Sequence, residues 1–356
     1  MIASNRMDTF AGDHYDRCPA WTFKPSRRYS NMKAIQINAY GDPLESLELV
    51  DIAEPPPPGP GEVLIGVEFA PVNHNDLLLF GGKFPVHPPL PSVVGNEGVG
   101  IVLVVGAGVN NVKVGDRVTP PLYSFTWRER MVIPAADLFA LPVDADIQQL
   151  AMLRINPPTA ALLLSEFVDL KPGDWVVQNC ANSGVGRAVI AIAKGRGLRT
   201  VNFVRRQDQV AEVEAAGGDI VLVDENDATE RVQEMVGDGA VRLALCGISG
   251  VATARLVSAL SSGGSLVNYA QMSGDMSAPG DLRPLMRKSI TMHNFYQNKP
   301  AFRVKVPEIL HEAVELIRSG SLQVPVAKVY PLAAFKDAIV HTQKGGKVLL
   351  EINGAH

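Results

Sequence analysis

Residues 171–193 constrain the fold more than any other stretch. Pro172-Gly173-Asp174 is a turn cluster. Trp175, Val176 and Val177 form a short β-prone apolar run, as a buried parallel strand requires. Residues 179–183 are all small or turn-forming. Gly184, Val185 and Gly186 then open a run with Ala188, Val189, Ile192 and Ala193 on helical spacing. A strand that feeds a helix through such a turn can bring a phosphate to backbone N–H groups at the helix N-terminus. Against the phosphate-binding pattern G-x-G-x-x-G, the register is Ala181-Asn182-Ser183-Gly184-Val185-Gly186, so Ala and Ser replace two glycines. Taken alone, the pattern supports two readings: a dinucleotide turn, or an ordinary strand–turn–helix connection.

The rest of the chain gives this unit a context. Short strands at 32–37, 47–50, 63–67, 99–105 and 112–118, with Gly/Pro turns and one short helix from Asn73 to Phe80, predict a β-rich first region. Glu54-Pro-Pro-Pro-Pro-Gly-Pro-Gly-Glu62 is a stiff extended connector. From 147 onward the period changes. Helices are expected at 147–152 and 159–167, then strands at 175–178, 198–204, 220–223, 243–245, 266–269 and 289–293, with helices between them. That alternation predicts a doubly wound parallel sheet. A helix at 306–319, a strand at 324–330, a helix at 332–342 and a terminal strand are expected to return to the first region.

Composition excludes several classes. Net charge is −4, from 33 basic and 37 acidic residues, so no nucleic-acid footprint is present. No apolar run reaches the roughly 18 residues of a membrane span, so no membrane partner is expected. Three dispersed cysteines offer no zinc spacing and suit a reducing compartment. Residues 1–31 form a polar tail. Its three aspartates argue against a transit peptide, and a cytoplasmic location is expected.

The landmarks in order are Pro58-Gly-Pro-Gly-Glu-Val63, Val94-Gly-Asn-Glu-Gly-Val99, Val114-Gly-Asp-Arg-Val118, Lys171-Pro-Gly-Asp-Trp-Val176 and Gly346-Lys-Val-Leu349. Together they resemble the medium-chain dehydrogenase/reductase superfamily. Thr126-Trp-Arg128, Ile155-Asn-Pro-Pro-Thr-Ala160, Gln178-Asn-Cys-Ala-Asn-Ser-Gly-Val-Gly186, Arg242-Leu-Ala-Leu245 and Tyr269-Ala-Gln-Met272 are similar to its mitochondrial-type 2-enoyl thioester reductases, with quinone reductases next. The resemblance implies an α/β fold: a Rossmann doubly wound parallel sheet (154–296) plus a GroES-like β-rich catalytic domain (32–153 and 297–356). It also implies NADPH as cofactor, a homodimer, and a small-molecule substrate that is an enoyl thioester, an enone or a quinone.

Zinc members of the superfamily carry Gly-His-Glu where this chain has Gly95-Asn96-Glu97, and Asn is not a zinc ligand. No metal is expected, and Glu97 reads as a structural hydrogen-bonding residue. The second strand ends at Val204-Arg205-Arg206, where an acid would bind an NAD ribose. Two guanidiniums instead suit the 2′-phosphate of NADPH. The turn and the arginines point to Asn182, Ser183, Gly184, Val185, Gly186, Arg205 and Arg206 as cofactor residues, and the resemblance adds Asn73, Thr159 and Tyr269. Asn73, which the resemblance places near the nicotinamide, also reads as a helix cap, and Thr159 as a capping Thr after Pro158. Cys180 reads as a small buried residue.

One position departs from the family. Its proton-donating Tyr is Phe84 here, and a phenyl ring holds no transferable proton. Water, Lys83 or His87 could supply the proton, the substrate could be a quinone or enone that needs no positioned donor, or the chain could bind NADPH with little turnover. Phe84, Phe295 and Tyr296 are the expected substrate-pocket residues, and Asn73 is the remaining catalytic candidate.

Overall fold

The computed structural model describes residues 31–275 and 283–353. The expected tail lies outside them, except that its last residue, Asn31, already opens a strand. The first region holds β1 (Asn31–Ile37), β2 (Leu47–Ala53), β3 (Glu62–Val72), β4 (Ser92–Val93), β5 (Val99–Val105), β6 (Arg117–Thr119), β7 (Arg130–Pro134) and β8 (Phe139–Ala140). The second holds β9 (Trp175–Gln178), β10 (Arg199–Val204), β11 (Ile220–Val223), β12 (Val241–Cys246), β13 (Ser265–Asn268) and β14 (Thr291–Asn294). Two strands follow, β15 (Val326–Pro331) and β16 (Lys347–Glu351).

The second region is a six-stranded, wholly parallel sheet in the order β11-β10-β9-β12-β13-β14. This is the doubly wound arrangement, and its direction reverses between β9 and β12. The pleat divides the side chains between two layers. Val176, Leu243, Leu245 and Val267 pack toward the helix Gly184–Gly195. Val177, Val201, Phe203 and Leu266 pack toward the helices Ala228–Val236 and Val251–Ala259. Each fully buried side chain of this kind contributes about 1.5–3 kcal/mol.

The first region is a seven-stranded sheet in the order β15-β16-β3-β5-β6-β8, with β7 also on β3, beside a three-stranded sheet β2-β1-β4. The chain end closes onto it, with Val348 opposite Val72 and Leu350 opposite Ala70. β3 pairs with β5, β7 and β16, and is buried along almost all of its length. The helix Val306–Arg318 behaves differently. Ile309, Leu310, Ala313, Val314 and Ile317 line one face and join the core that contains Leu163, Val176 and Ala188. This helix therefore packs on the parallel-sheet side, although the strands after it belong to the other sheet.

Several boundaries differ from expectation for local reasons. The helix expected at 159–167 spans Asn156–Leu163, because Pro157 and Pro158 occupy its first turn rather than precede it. Thr159 therefore lies inside the helix and is not its cap. The short strands β4, β7 and β8 were not expected. They carry little periodicity of their own and exist by pairing with longer neighbours.

Candidate active site

The turn after β9 is built so that only glycine fits at its end. A Cβ on Gly186 would lie 2.5 Å from the Cys180 carbonyl oxygen and 2.6 Å from that of Ala181. Both are backbone atoms and cannot yield. Cys180 itself sits at φ 54°, a left-handed conformation that a non-glycine residue adopts at some cost. Burial pushes its thiol up to about 12, so it is not a reactive thiolate. Ser183 caps the helix Gly184–Gly195 by accepting from the Gly186 N–H at 3.0 Å. The N–H groups of Gly184 and Val185 have no acceptor among the described residues, as the first turn of a helix leaves them. Asn182 contributes its carbonyl, which accepts from Arg187 Nε at 3.4 Å.

Below the turn lies a buried amide network. Gln178 Nε2 donates to Gly186 O at 3.0 Å and to Asn202 Oδ1 at 2.8 Å. Asn179 Oδ1 accepts from Gly247 N at 2.7 Å, joining the ends of β9 and β12 where the sheet reverses. Ligands of such sheets bind in this crevice. Tyr269, one residue past β13, faces the same crevice. A Cβ on Gly247 would meet its Oη at 2.6 Å, and burial holds its phenol well above the usual range.

Arg205 and Arg206 follow β10 and are exposed. Their N–H groups share the Gln209 side chain, each at 3.2 Å. The Arg206 guanidinium is already paired with Asp208 at 3.0 Å. Arg205 has no ion pair among the described residues. The two guanidiniums expected to act together are thus unequal, and Arg205 is the better placed for a new anion.

Asn73 occupies the N-cap position of the helix His74–Phe80, and both ends of its side-chain amide also reach beyond the helix. Its Nδ2 donates to Glu97 Oε1 at 2.8 Å, and its Oδ1 accepts from Lys347 Nζ at 2.6 Å. Asp76, at the third helical position, accepts from Asn73 N at 2.7 Å, as in a capping box. Glu97, fully buried, also accepts from the backbone N–H groups of Arg154 (2.9 Å) and Ile155 (3.0 Å). The network continues to Thr159. Gln297 Nε2 donates to Arg154 O at 2.8 Å, and the Thr159 hydroxyl donates to Gln297 Oε1 at 3.1 Å. Asn73 and Thr159, separated by 86 positions, therefore belong to one polar chain through Glu97.

Desolvation dominates the electrostatics here. Burial pushes both Asp76 and Glu97 up to about 7, against the opposing pull of Lys347 and the N–H donors. Burial lowers Lys347, against the pull of the same acids. Sequence reading missed Asp76 and Lys347. Each left a signal: Asp76 stands three residues after Asn73, where a helix start accepts an acid, and Lys347 begins an otherwise apolar strand. The donors at position 96 do not fit zinc. Asn96 offers a neutral amide, and N–H donors occupy both oxygens of Glu97.

Among the pocket expectations, Phe84 is half-buried, with its ring centroid 6.1 Å from that of Tyr123. Lys83 is exposed. His87 is turned onto its own loop, with Nε2 3.4 Å from Gly82 O and its ring edge-on to Tyr40. Phe295 stacks on Phe302 at 5.7 Å and meets Phe167 at 6.4 Å, so its faces serve an aromatic cluster at the core margin. Tyr296 beside it is half-buried.

Comparison with known proteins agrees with this architecture. Residues 59–142 match the alcohol dehydrogenase GroES-like domain, and residues 184–319 match the domain described as zinc-binding dehydrogenase. The mitochondrial enoyl-[acyl-carrier-protein] reductase of Caenorhabditis elegans is 36% identical over 293 residues, covering 80% of this chain and 83% of that one. The chain belongs to the medium-chain dehydrogenase/reductase superfamily. The human mitochondrial enoyl-[acyl-carrier-protein] reductase is 31% identical, covering 91% and 89% of the two chains. The structure of an Etr1p/NADP/crotonyl-CoA complex shares the fold at TM-score 0.81 and 24% identity, over 91% of this chain and all of that one. A quinone oxidoreductase from Pseudomonas syringae aligns at TM-score 0.77 and 27% identity, over 90% of this chain and all of that one.

The two buried acids give a prediction. Unfolded, Asp76 releases its proton near pH 4; folded, it holds it to about 7. Between those values the folded chain binds the extra proton, so this contribution to stability is lost as pH rises through the window. Asp76→Asn removes the titration and keeps an acceptor for the Asn73 N–H. Its melting temperature is expected to gain on the parent's as pH rises from about 5 to about 7 and to level off above that. Parallel melting curves across this range would mean that Asp76 is ionised throughout.

Proposed function

We infer that this chain is an NADPH-dependent oxidoreductase that reduces an activated carbon–carbon double bond, with a 2-enoyl thioester as its substrate and no metal. The carrying observation is the helix start at Gly184–Gly186, where the Gly184 and Val185 N–H groups have no acceptor among the described residues, within a chain about one-third identical to enoyl reductases along most of its length.

The residues fit the cofactor. The Gly184 and Val185 N–H groups and the helix dipole suit a pyrophosphate. Gly186 allows its close approach. Arg205 suits a 2′-phosphate through a bidentate pair. Asn73, Thr159 and Tyr269 are the proposed neighbours of the nicotinamide half. Bound there, a reduced nicotinamide supplies the hydride. Asn73 is held at both ends by Glu97 and Lys347, which leaves one N–H for a ligand in a fixed direction. Fixing donors before the substrate arrives removes reorganisation from the reaction step.

A quinone reductase is the second reading, favoured by the Pseudomonas syringae relative and by Phe84 in place of the family Tyr. NADPH oxidation across 2-enoyl-CoA, enone and quinone acceptors, with NADH as control, separates the two. Turnover fastest on 2-enoyl thioesters is expected. NADPH binding without oxidation by any acceptor would remove the enzyme reading. Arg205→Gln is expected to raise the KM for NADPH about tenfold, the cost of one charge-assisted pair, with little change for NADH.

A homodimer joined through β14 belongs to the same proposal. Among the described residues this strand pairs with β13 alone, and its Met292 is 40% exposed. Met292→Lys is expected to sediment as a monomer at concentrations where the parent is a dimer. A variant that stays dimeric places the contact elsewhere.

A further inference from the structure

We propose that Tyr123 supplies the proton that Phe84 cannot, a reading that rests on the proposed reduction of a conjugated double bond. The phenol is missing from the loop after the helix His74–Phe80, but another stands beside the vacated position. The Tyr123 and Phe84 rings lie 6.1 Å apart at 52°, and both are half-buried. A phenol one ring-width away can address the same space as one at position 84.

The Tyr123 loop has the marks of a functional segment. Tyr123 and Phe125 are both in left-handed backbone, at φ 65° and 57°, although neither is glycine. Such strain costs about 1–3 kcal/mol per residue and persists only where the surroundings impose it. Here they do. Tyr123 N donates to Asn96 O at 2.9 Å, and Thr126 N to Gly95 O at 3.1 Å. The Thr126 hydroxyl donates to Glu97 O at 2.6 Å, and Arg128 Nη2 to Ser124 O at 3.0 Å. The loop is thereby pinned to Asn96-Glu97, the segment that fixes Asn73.

A second observation lies in the segment that holds this loop. Asn96 is 1% exposed, yet neither end of its side-chain amide has a hydrogen-bond partner. A buried polar group left unpaired costs about 1–3 kcal/mol, which a polar ligand atom would recover. Lys83 and His87 serve less well, because one is exposed and the other is turned toward Gly82 and Tyr40.

Atoms and electrons balance over one hydride and one proton. A reduced nicotinamide held in the crevice would supply a hydride to the β-carbon, with the π pair moving toward the thioester oxygen. The α-carbon then forms a C–H bond with the Tyr123 phenolic proton. The O–H bond breaks to leave a phenolate, which takes its proton back from solvent.

The test compares the parent with Tyr123→Phe, Tyr123→His and the double variant F84Y/Y123F. Y123F is expected to lose about 10²-fold in kcat on a short 2-enoyl-CoA, the usual contribution of a positioned acid, with the KM for NADPH within about twofold of the parent's. F84Y in the Y123F background is expected to recover at least about tenfold of that loss. Y123H keeps a proton-bearing ring, and its kcat is expected to fall above about pH 6.5, where imidazole loses its proton. A readout independent of turnover uses the cofactor-free chain with 13C-labelled tyrosine rings. The resonance absent from Y123F is expected to shift on addition of a saturated acyl thioester. Y123F with parental kcat, a Y123H profile matching the parent's, or an unmoved Tyr123 resonance overturns the assignment. A parent that oxidises NADPH with no 2-enoyl thioester overturns the proposed reduction as well.

Discussion

The Glu97 carboxylate is the interaction on which the two halves of the molecule depend. It is buried, and it accepts from Asn73, Arg154 and Ile155, that is, from the β-rich region and from the segment that opens the parallel-sheet region. Lys347 reaches Asn73 from the last strand, so an early and a late segment of the described chain meet at one amide. A buried carboxylate is costly unless it is paired and hydrogen-bonded. Three N–H donors and a nearby ammonium offset that cost, and the same bonds fix the direction of Asn73. Glu97, one residue past Asn96, is in this way the knot between the two regions.

The dinucleotide turn follows a similar economy. Ala181 and Ser183 stand where the template has glycines; the left-handed residue of this turn is Cys180, and Ser183 supplies the helix cap. Gly186 is retained because two carbonyl oxygens lie where its Cβ would be. The amides of Gln178 and Asn202 support the turn from the centre of the sheet, where a hydrocarbon layer is the usual filling. The phenol missing from position 84 fits the same pattern of displacement, with Tyr123 as the proposed new carrier of its proton.

Much of the fold was legible because alternating strand and helix periods report burial directly. Residues 175–268 show every strand near its expected place. The failures are local. Pro157 and Pro158 look like a break before a helix in the sequence, although proline is at home in a helix's first turn. Thr159 therefore resembles a cap, whereas its hydroxyl serves Gln297. Of the site, the glycine turn and the arginines were visible as patterns in consecutive residues. The inequality of Arg205 and Arg206 was not, because it depends on the short reach from Arg206 to Asp208.

The sequence by itself determined the two-region α/β plan, the strand–turn–helix unit with its helix start at Gly184 and the absence of a zinc-ligating imidazole at position 96. These are properties of residue type and near-neighbour spacing. Only the tertiary structure decided that Asp76, Glu97, Asn73 and Lys347 share one buried site, and that Tyr123 stands beside Phe84. Those groups are separated by up to 274 positions, as between Lys347 and Asn73. No periodicity relates residues so distant. Burial, which raises both acids and lowers the lysine, exists only once the sheets have closed around them.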